Sequence, residues 1–176
     1  MAPFPTPMNS YQKLWWEQAK SDHKALAVVL RDGMAPCHPL HYLQFATEEL
    51  AKAYLWRSGS PPPKSHAGFA KFLRLLGSTG KRHRQRVAKV FSFRRFADFQ
   101  NWINAVIPIA NELENLAPSL ANDGPNPEYP WPHSRPHTAP VHHNFAVWAT
   151  LASGRGRDLM RVIHIAVERF PEYADL

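Results

Sequence analysis

The sequence predicts an all-α protein, an antiparallel up-down bundle of helices joined mostly by short loops. Three observations lead to this prediction. Apolar residues recur every three or four positions through most of the chain, which is the period of an amphipathic helix. No segment shows the two-residue alternation of a half-buried strand, and no internal repeat is present. Glycines and prolines are concentrated between the periodic segments, where helices start and stop.

Five helices follow from the apolar periodicity and its punctuation. They are predicted over residues 11–32, 40–57, 65–76, 96–116 and 157–170. Gly33 ends the first helix, and Pro39 marks the entry to the second. Pro108 lies inside the fourth, where a proline is expected to kink the helix. The final helical stretch starts near residue 142, and the segment SGRGR at 153–157 is expected to break it.

Two segments are expected to lie outside these helices. Residues 1–10 are predicted to form a flexible N-terminus, and a single helical domain spans 11–176. Within that domain, residues 117–141 contain seven prolines, which disfavour both a helix and a central strand. A loop this long inside a compact domain is usually functional or packed over the surface. We therefore expect a proline-rich loop insert before the last helix.

Charge is distributed unevenly along the chain. The formal net charge is +7, and the window between Leu50 and Ala97 holds twelve Lys or Arg but no Asp or Glu. This concentration indicates a polyanion or an acidic protein surface as partner, with a merely solvated basic face as the alternative. The run GKRHRQR, expected to form one or two helical turns, is the strongest local feature. The candidate RNA- or phosphate-binding residues are Lys81, Arg82, Arg84, Arg86, Arg94 and Arg95.

The second helix is expected to be central in the fold, because it is apolar on two sides. Leu43 and Leu50 share one face, whereas Phe45 lies roughly opposite. Glu48 and Lys52 are four residues apart with the acid first, the favoured order for an ion pair along a helix. On the surface such a pair contributes about a few tenths of a kcal/mol. Between two apolar flanks it would be partly buried and would fix the helix register.

Positions in the first three helices together resemble the HEPN domain family, whose second helix has roughly the pattern Q-x-A-x-E-x-x-x-K-A-x-L. The second-helix matches are Gln44, Ala46, Glu48, Lys52, Ala53, Leu55 and Gly59. The matches in the flanking helices are Ala19, Asp22 and Ala25 before it, and His66, Phe69 and Leu73 after it. The likeness covers about residues 15–76. The proline-rich insert departs from the short forms of the family.

The resemblance implies a HEPN-type bundle and leaves two functions open. Many members of the family are metal-independent endoribonucleases, often in toxin–antitoxin or phage-defence systems. Others have lost catalysis and bind a nucleotide, RNA or a partner protein. The first alternative implies an RNA substrate, a homodimer and a neutralising protein partner. The second implies a non-catalytic helical module that binds a nucleotide or an acidic protein.

Catalytic members of the family carry an arginine, then a polar residue, then a histidine after a short spacer. Arg157, Asp158 and His164 fit this pattern. Arg157 and His164 are two helical turns apart and therefore share one face, away from the apolar stripe. There His164 would move protons during attack by the RNA 2′-OH, and Arg157 would stabilise the developing phosphorane charge. A solvated polar face is the alternative interpretation of the same pattern.

No metal and no other cofactor is expected. His133, His137, His142 and His143 crowd the proline-rich segment and raise zinc as an alternative. Zinc sites usually take ligands from ordered turns, adjacent histidines rarely ligate one ion together, and the only cysteine, Cys37, is remote in sequence. The start of the chain shows no secretory leader, and no apolar run approaches about 18 residues. We therefore expect a cytoplasmic protein without membrane contact.

Overall fold

The computed structural model describes residues 8–56, 61, 68–121, 124–131 and 137–176. The helices are α1 (Ser10–Arg31), α2 (Cys37–Leu55), α3 (Phe69–Gly77), α4 (Arg84–Val90), α5 (Phe96–Glu114), α6 (Pro118–Ala121), α7 (Ala146–Ala152) and α8 (Gly154–Glu168). Single 3₁₀ turns lie at Lys81–His83, Pro140–His142 and Phe170–Glu172. No strand forms among the described residues, which contain one isolated bridge between Trp131 and Thr138. The all-α prediction is confirmed. None of the described helices combines the length and the apolar character needed to cross a membrane.

Helix α1 begins at a capping box, one residue before its predicted start. The side chain of Asn9 accepts a hydrogen bond from the Gln12 amide at 2.9 Å, and the Gln12 side chain accepts one from the Asn9 amide at 3.3 Å. Asn9 also donates to the Trp56 carbonyl at 3.1 Å, which fixes the entry of the chain against the end of α2. Of the segment 1–10 predicted to be flexible, 1–7 lies outside the described residues. Asn9 and Ser10 are held in place.

Helix α2 is central, as expected from its two apolar sides. It contacts α1, α3, α5 and α8. Leu43 and Leu50 are fully buried, and Phe45 and Trp56 on the other flank are half-buried. The Trp56 ring stacks on Tyr11 with centroids 4.6 Å apart. The helix starts at residue 37 rather than 40 because a proline in the first turn lacks only an N–H that would be unpaired there.

Helices α3 to α5 follow the predictions with shifted ends. Helix α3 is described from Phe69, since its predicted start at residue 65 lies outside the described residues. The basic run forms a 3₁₀ turn followed by the two turns of α4. Helix α5 continues on both sides of Pro108.

The predicted break near residues 153–157 is confirmed. Helix α7 ends at Ala152, and Ser153 caps α8 by accepting a hydrogen bond from the Gly156 amide at 3.2 Å. The first turn of α8 lies directly against the last turn of α7. A Cβ on Gly156 would be 2.3 Å from both the Leu151 Cα and the Thr150 carbonyl oxygen. Gly156 therefore permits a backbone approach that no other residue allows.

The proline-rich segment packs onto the bundle where the structure describes it. Its predicted loop contains a one-turn helix, α6, and residues 122–123 and 132–136 lie outside the described residues. Trp131 is buried, with ring centroids 5.1 Å from His143 and 6.4 Å from Phe145. Tyr129, two residues earlier, is exposed.

The aromatic centre of the core is completed by a residue close to the C-terminus. Tyr173 is fully buried, and its hydroxyl donates to the Ala166 carbonyl at 2.8 Å. Burial raises the pKa of Tyr173 well above its ordinary value, with Tyr54 adding to the effect. Its ring lies within 5.2–6.2 Å, between centroids, of Tyr54, Phe72, Phe91 and Phe170.

Candidate nucleic-acid interface and a histidine cluster

A pocket of about 520 Å³ opens between α4 and the start of α5, in the strongly basic part of the sequence. We call it the basic pocket. Its lining residues are Lys81, Arg84, Gln85, Ala88, Lys89, Phe93, Arg94, Arg95 and Phe96. This lining contains five cations and two phenylalanines but no carboxylate. Such a combination suits a ligand that carries both negative charge and a flat apolar face.

Local geometry explains how these side chains meet. Lys81, Arg84 and Ala88 are spaced three and four residues apart, which places them on one side of the 3₁₀ turn and α4. The chain then reverses at Ser92, whose φ of 62° is left-handed and uncommon outside glycine. The amide that follows, of Phe93, donates back to the Ala88 carbonyl at 2.8 Å and closes the turn.

The cations of the basic pocket differ in whether an acidic side chain neutralises their charge. Arg95 forms a two-point ion pair with Asp98, at 3.0 and 2.7 Å, and this hydrogen bonding holds the pKa of Asp98 below its usual value. Lys81, Lys89 and Arg94 form no ion pair with any described residue. These three side chains are exposed and are the cations most available to a phosphate.

Two further side chains shape the pocket. The Arg84 guanidinium lies 5.2 Å from the Phe96 ring centroid, within cation–π range. Arg84 also reaches the Thr79 carbonyl with its Nε at 3.4 Å. Lys89, Phe93 and Phe96 were not among the residues predicted from sequence. For Lys89 the available signal was its place in the basic window between Leu50 and Ala97.

Two of the predicted phosphate-binding residues do not line the pocket. Arg86 holds the C-terminal segment: its guanidinium donates to Asp175 at 2.8 and 3.1 Å and to the Glu172 carbonyl at 2.7 Å. These three hydrogen bonds occupy the Arg86 guanidinium within the protein. Arg82 is exposed and lies 2.7 Å from the ring Nε2 of His83. The grouping of these arginines by sequence alone ignored which side of α4 each one occupies.

The predicted catalytic residues lie on α8 and do not line the basic pocket, although Arg161 of the same helix lies 5.9 Å from the ring centroid of the pocket residue Phe93. Arg157, Asp158 and His164 are all exposed. Arg157 donates to the Ala152 carbonyl and so supplies a hydrogen-bond partner to a carbonyl group at the end of α7. His164 faces a second histidine, His23 of α1, with ring centroids 5.2 Å apart.

His23, His164 and Glu168 together form what we call the histidine cluster. One ligand-type atom from each of the three lies within 4.8 Å of the others. His23 is half-buried, and this burial lowers its pKa; nearby His164 lowers it further, whereas Glu168 raises it. The sequence offered only a partial sign of this cluster, the four-residue spacing of His164 and Glu168.

The histidines predicted to crowd the proline-rich segment do not assemble in this way. His133 lies outside the described residues, and His137 and His142 are exposed. His143 packs edge-on against Phe145 with centroids 4.6 Å apart.

A third polar group lies between α1 and α2 and is largely shielded from solvent. Glu48 is 5% exposed and pairs with Lys52, whose ammonium lies 4.7 Å from the Trp15 ring centroid. Gln44 donates to the second Glu48 oxygen at 3.3 Å. The pair is thus partly buried between aromatic and apolar flanks, as predicted, and removing one partner would leave an uncompensated charge.

Glu49, the next residue of α2, is in a different electrostatic state. Burial raises the pKa of Glu49 to about 9, with the adjacent Asp22 carboxyl as the next cause. Glu49 is therefore protonated at neutral pH, and one of its oxygens has no hydrogen-bond partner among the described residues. The packing of α1 on α2 therefore includes a titratable group whose folded-state pKa differs strongly from its ordinary value.

Comparisons of the chain with family models, with curated proteins and with solved structures found no match.

Proposed function

We propose that the chain is a HEPN-like helical module that binds single-stranded RNA or a nucleotide through the basic pocket. The observation that carries the proposal is the composition of that pocket, in which cations surround two phenylalanines and no carboxylate is present. Support also comes from the sequence resemblance, which covers the first three helices. The up-down order of a HEPN bundle and the assembly into a homodimer belong to the same proposal.

Phosphates and bases would use different parts of the pocket. Lys81, Lys89 and Arg94 would contact phosphate oxygens, since they are exposed and have no ion-pair partner among the described residues. Phe93 and Phe96 would stack on a base, a contact that single strands permit and paired strands do not. A volume of about 520 Å³ falls in the range of sites that hold one small organic molecule.

An acidic protein surface is the competing partner for the same charges. It would use the lysines and arginines but has no need of flat aromatic faces beside them. Replacing Phe96 by leucine keeps an apolar side chain and removes the ring. RNA binding is expected to weaken in this variant, whereas binding to an acidic protein would persist.

The main test is the salt dependence of RNA binding. Changing Lys81, Lys89 and Arg94 together to alanine should weaken binding of a fluorescent single-stranded RNA. It should also reduce the slope of log K against log salt by about 2, because each single-strand phosphate contact contributes about 0.7. Fluorescence anisotropy over a salt series measures both quantities.

A matched triple variant on α1 controls for net charge. Changing Lys13, Lys24 and Arg31 to alanine removes the same three charges from α1, whose main contacts are with α2 and α8. This control should keep the wild-type slope. Equal losses in the two variants would show that binding follows overall charge, and the pocket would lose its role.

Metal-independent cleavage by Arg157, Asp158 and His164 stays a prediction of the family resemblance. Incubation of total RNA with the protein in EDTA tests it, with His164→Ala as the comparison. Cleavage that leaves a cyclic phosphate or 3′-phosphate and is lost in the variant would establish the enzyme. Light scattering tests the homodimer that the shared catalytic cleft of the family requires. If the RNA stays intact, the proposed function is that of a binding module without cleavage.

A further inference from the structure

We propose that His23, His164 and Glu168 form a binding site for a divalent transition-metal ion of the Zn²⁺ class. The site lies in the groove between α1 and α8 and is open to solvent. It was not anticipated from the sequence, which directed attention to histidines of the proline-rich segment. The proposal is independent of RNA binding in the basic pocket.

The donor set matches the chemistry of such an ion. Two imidazole nitrogens and one carboxylate oxygen are a recurrent three-ligand set for zinc, and the same ligand types also bind other first-row ions. Histidine and glutamate four residues apart on α8 point to one side of the helix, as paired ligands on helices do. Among the described residues, no other three potential ligand side chains come this close together.

Only a small adjustment would bring the ligands to bonding geometry. Tetrahedral bonds of about 2.0–2.1 Å place neighbouring donor atoms roughly 3.3 Å apart. The three donor atoms already lie within 4.8 Å of one another. His164 and Glu168 are exposed, so rotation about their side-chain bonds meets little resistance.

The two helices that supply the ligands are held rigidly together. Two turns before His23 on α1, the Trp16 ring nitrogen donates to the Val167 carbonyl of α8 at 2.7 Å. The Trp16 ring also stacks on Phe170 with centroids 6.0 Å apart. The backbone positions of the ligands are therefore set by this contact between the helices, which lowers the entropy lost on binding an ion.

The ligands are not committed to other partners. No described Lys or Arg forms an ion pair with Glu168, and no described residue hydrogen-bonds to the ring nitrogens of His23 or His164. Three protein ligands leave at least one coordination position for water or another oxygen donor. Coordination would occupy the His164 nitrogen needed for proton transfer, so a metal site and metal-independent cleavage make opposite demands on this residue.

The experiment is a Zn²⁺ titration of the untagged chain in competition with a chromophoric chelator. The wild type should bind one ion per chain. Changing His23 and His164 together to alanine should weaken binding by about 100-fold or more, and Glu168→Gln should weaken it by at least about 10-fold. Both variants should keep the wild-type circular dichroism spectrum, since His164 and Glu168 are exposed and His23 is half-buried.

A second double variant, His137→Ala with His142→Ala, removes the same number of histidines from the proline-rich segment. It should bind Zn²⁺ like the wild type, and Co²⁺ should give the same visible spectrum with both proteins. An affinity that survives in the His23 and His164 variant, or that falls equally in both double variants, would overturn the site. Absence of wild-type binding would overturn it as well. The triple variant of the basic pocket, with Lys81, Lys89 and Arg94 changed to alanine, should bind Zn²⁺ like the wild type, which separates this proposal from the previous one.

Discussion

Replacing Gly156 by alanine is expected to destabilise the protein by about 2–4 kcal/mol or to prevent folding. The added Cβ would lie 2.3 Å from Leu151 Cα and Thr150 oxygen, and 2.4 Å from Leu151 oxygen. These are backbone atoms, which cannot rotate out of the way. Helices α7 and α8 would have to separate, which combines overpacking, typically about 1–3 kcal/mol, with loss of the Ser153 cap, about 1 kcal/mol.

Urea unfolding followed by circular dichroism measures this effect, and Gly154→Ala is its control. Gly154 opens the same helix, but a Cβ there has no atom within 4 Å. Alanine should therefore leave stability unchanged or raise it by up to about 1 kcal/mol. Similar midpoints for the two variants would contradict the close approach of α7 to α8. Comparing the two variants separates the general effect of replacing a helical glycine from the effect of the contact between α7 and α8.

Replacing Glu49 by glutamine is expected to stabilise the protein above mildly acidic pH. The pKa of Glu49 is raised to about 9 in the folded state by burial and by Asp22, against an ordinary value of 4.5. Below pH 4.5 the residue is protonated whether the chain is folded or not, and it imposes no penalty. As pH rises from there to about 9, only the unfolded chain releases the proton, and stability is lost progressively. Glutamine does not titrate and retains an N–H that can donate to Asp22, as protonated Glu49 does.

The expected gain is about 3 kcal/mol at pH 7, since each pH unit above the ordinary pKa of 4.5 corresponds to about 1.4 kcal/mol for one proton. Free energies of unfolding measured between pH 4 and 9 should show the variant and the wild type diverging with pH. Glu112→Gln changes an exposed glutamate of α5 and should follow the wild type throughout. A constant difference between Glu49→Gln and the wild type across the series would rule out the titration of Glu49 as its cause.

Local sequence rules accounted for most of the helices and little of the candidate sites. The helix ends at Asn9 and Ser153 depend on capping residues and glycines within a few positions of the chain. These helix ends were predicted to within a few residues. The basic pocket depends on the reversal of the chain at Ser92. A left-handed conformation is uncommon for serine and could not be predicted from the sequence. The two phenylalanines of the pocket were therefore assigned to no site.

The remaining omissions come from contacts between distant parts of the chain. Arg86 was grouped with its neighbours because the sequence does not show that Asp175 will bind it. His23 and His164 come from the first and last long helices, and only the packing of α1 on α8 makes them neighbours. The spacing rule applied to α8 identified His164 as a candidate catalytic residue, but no rule within one helix shows that a histidine of α1 lies beside it.

The position of Tyr173 has a consequence for synthesis of the protein on the ribosome. The ring fills the centre of an aromatic core built by residues as early as Tyr54, so this core cannot close until residues 170–174 have emerged. The ribosome adds about 5–20 residues per second, so part of the apolar surface of α1 and α2 stays exposed for several seconds. Nascent chains of this protein should therefore depend on chaperone protection during elongation more than bundles whose first helices pack only with each other.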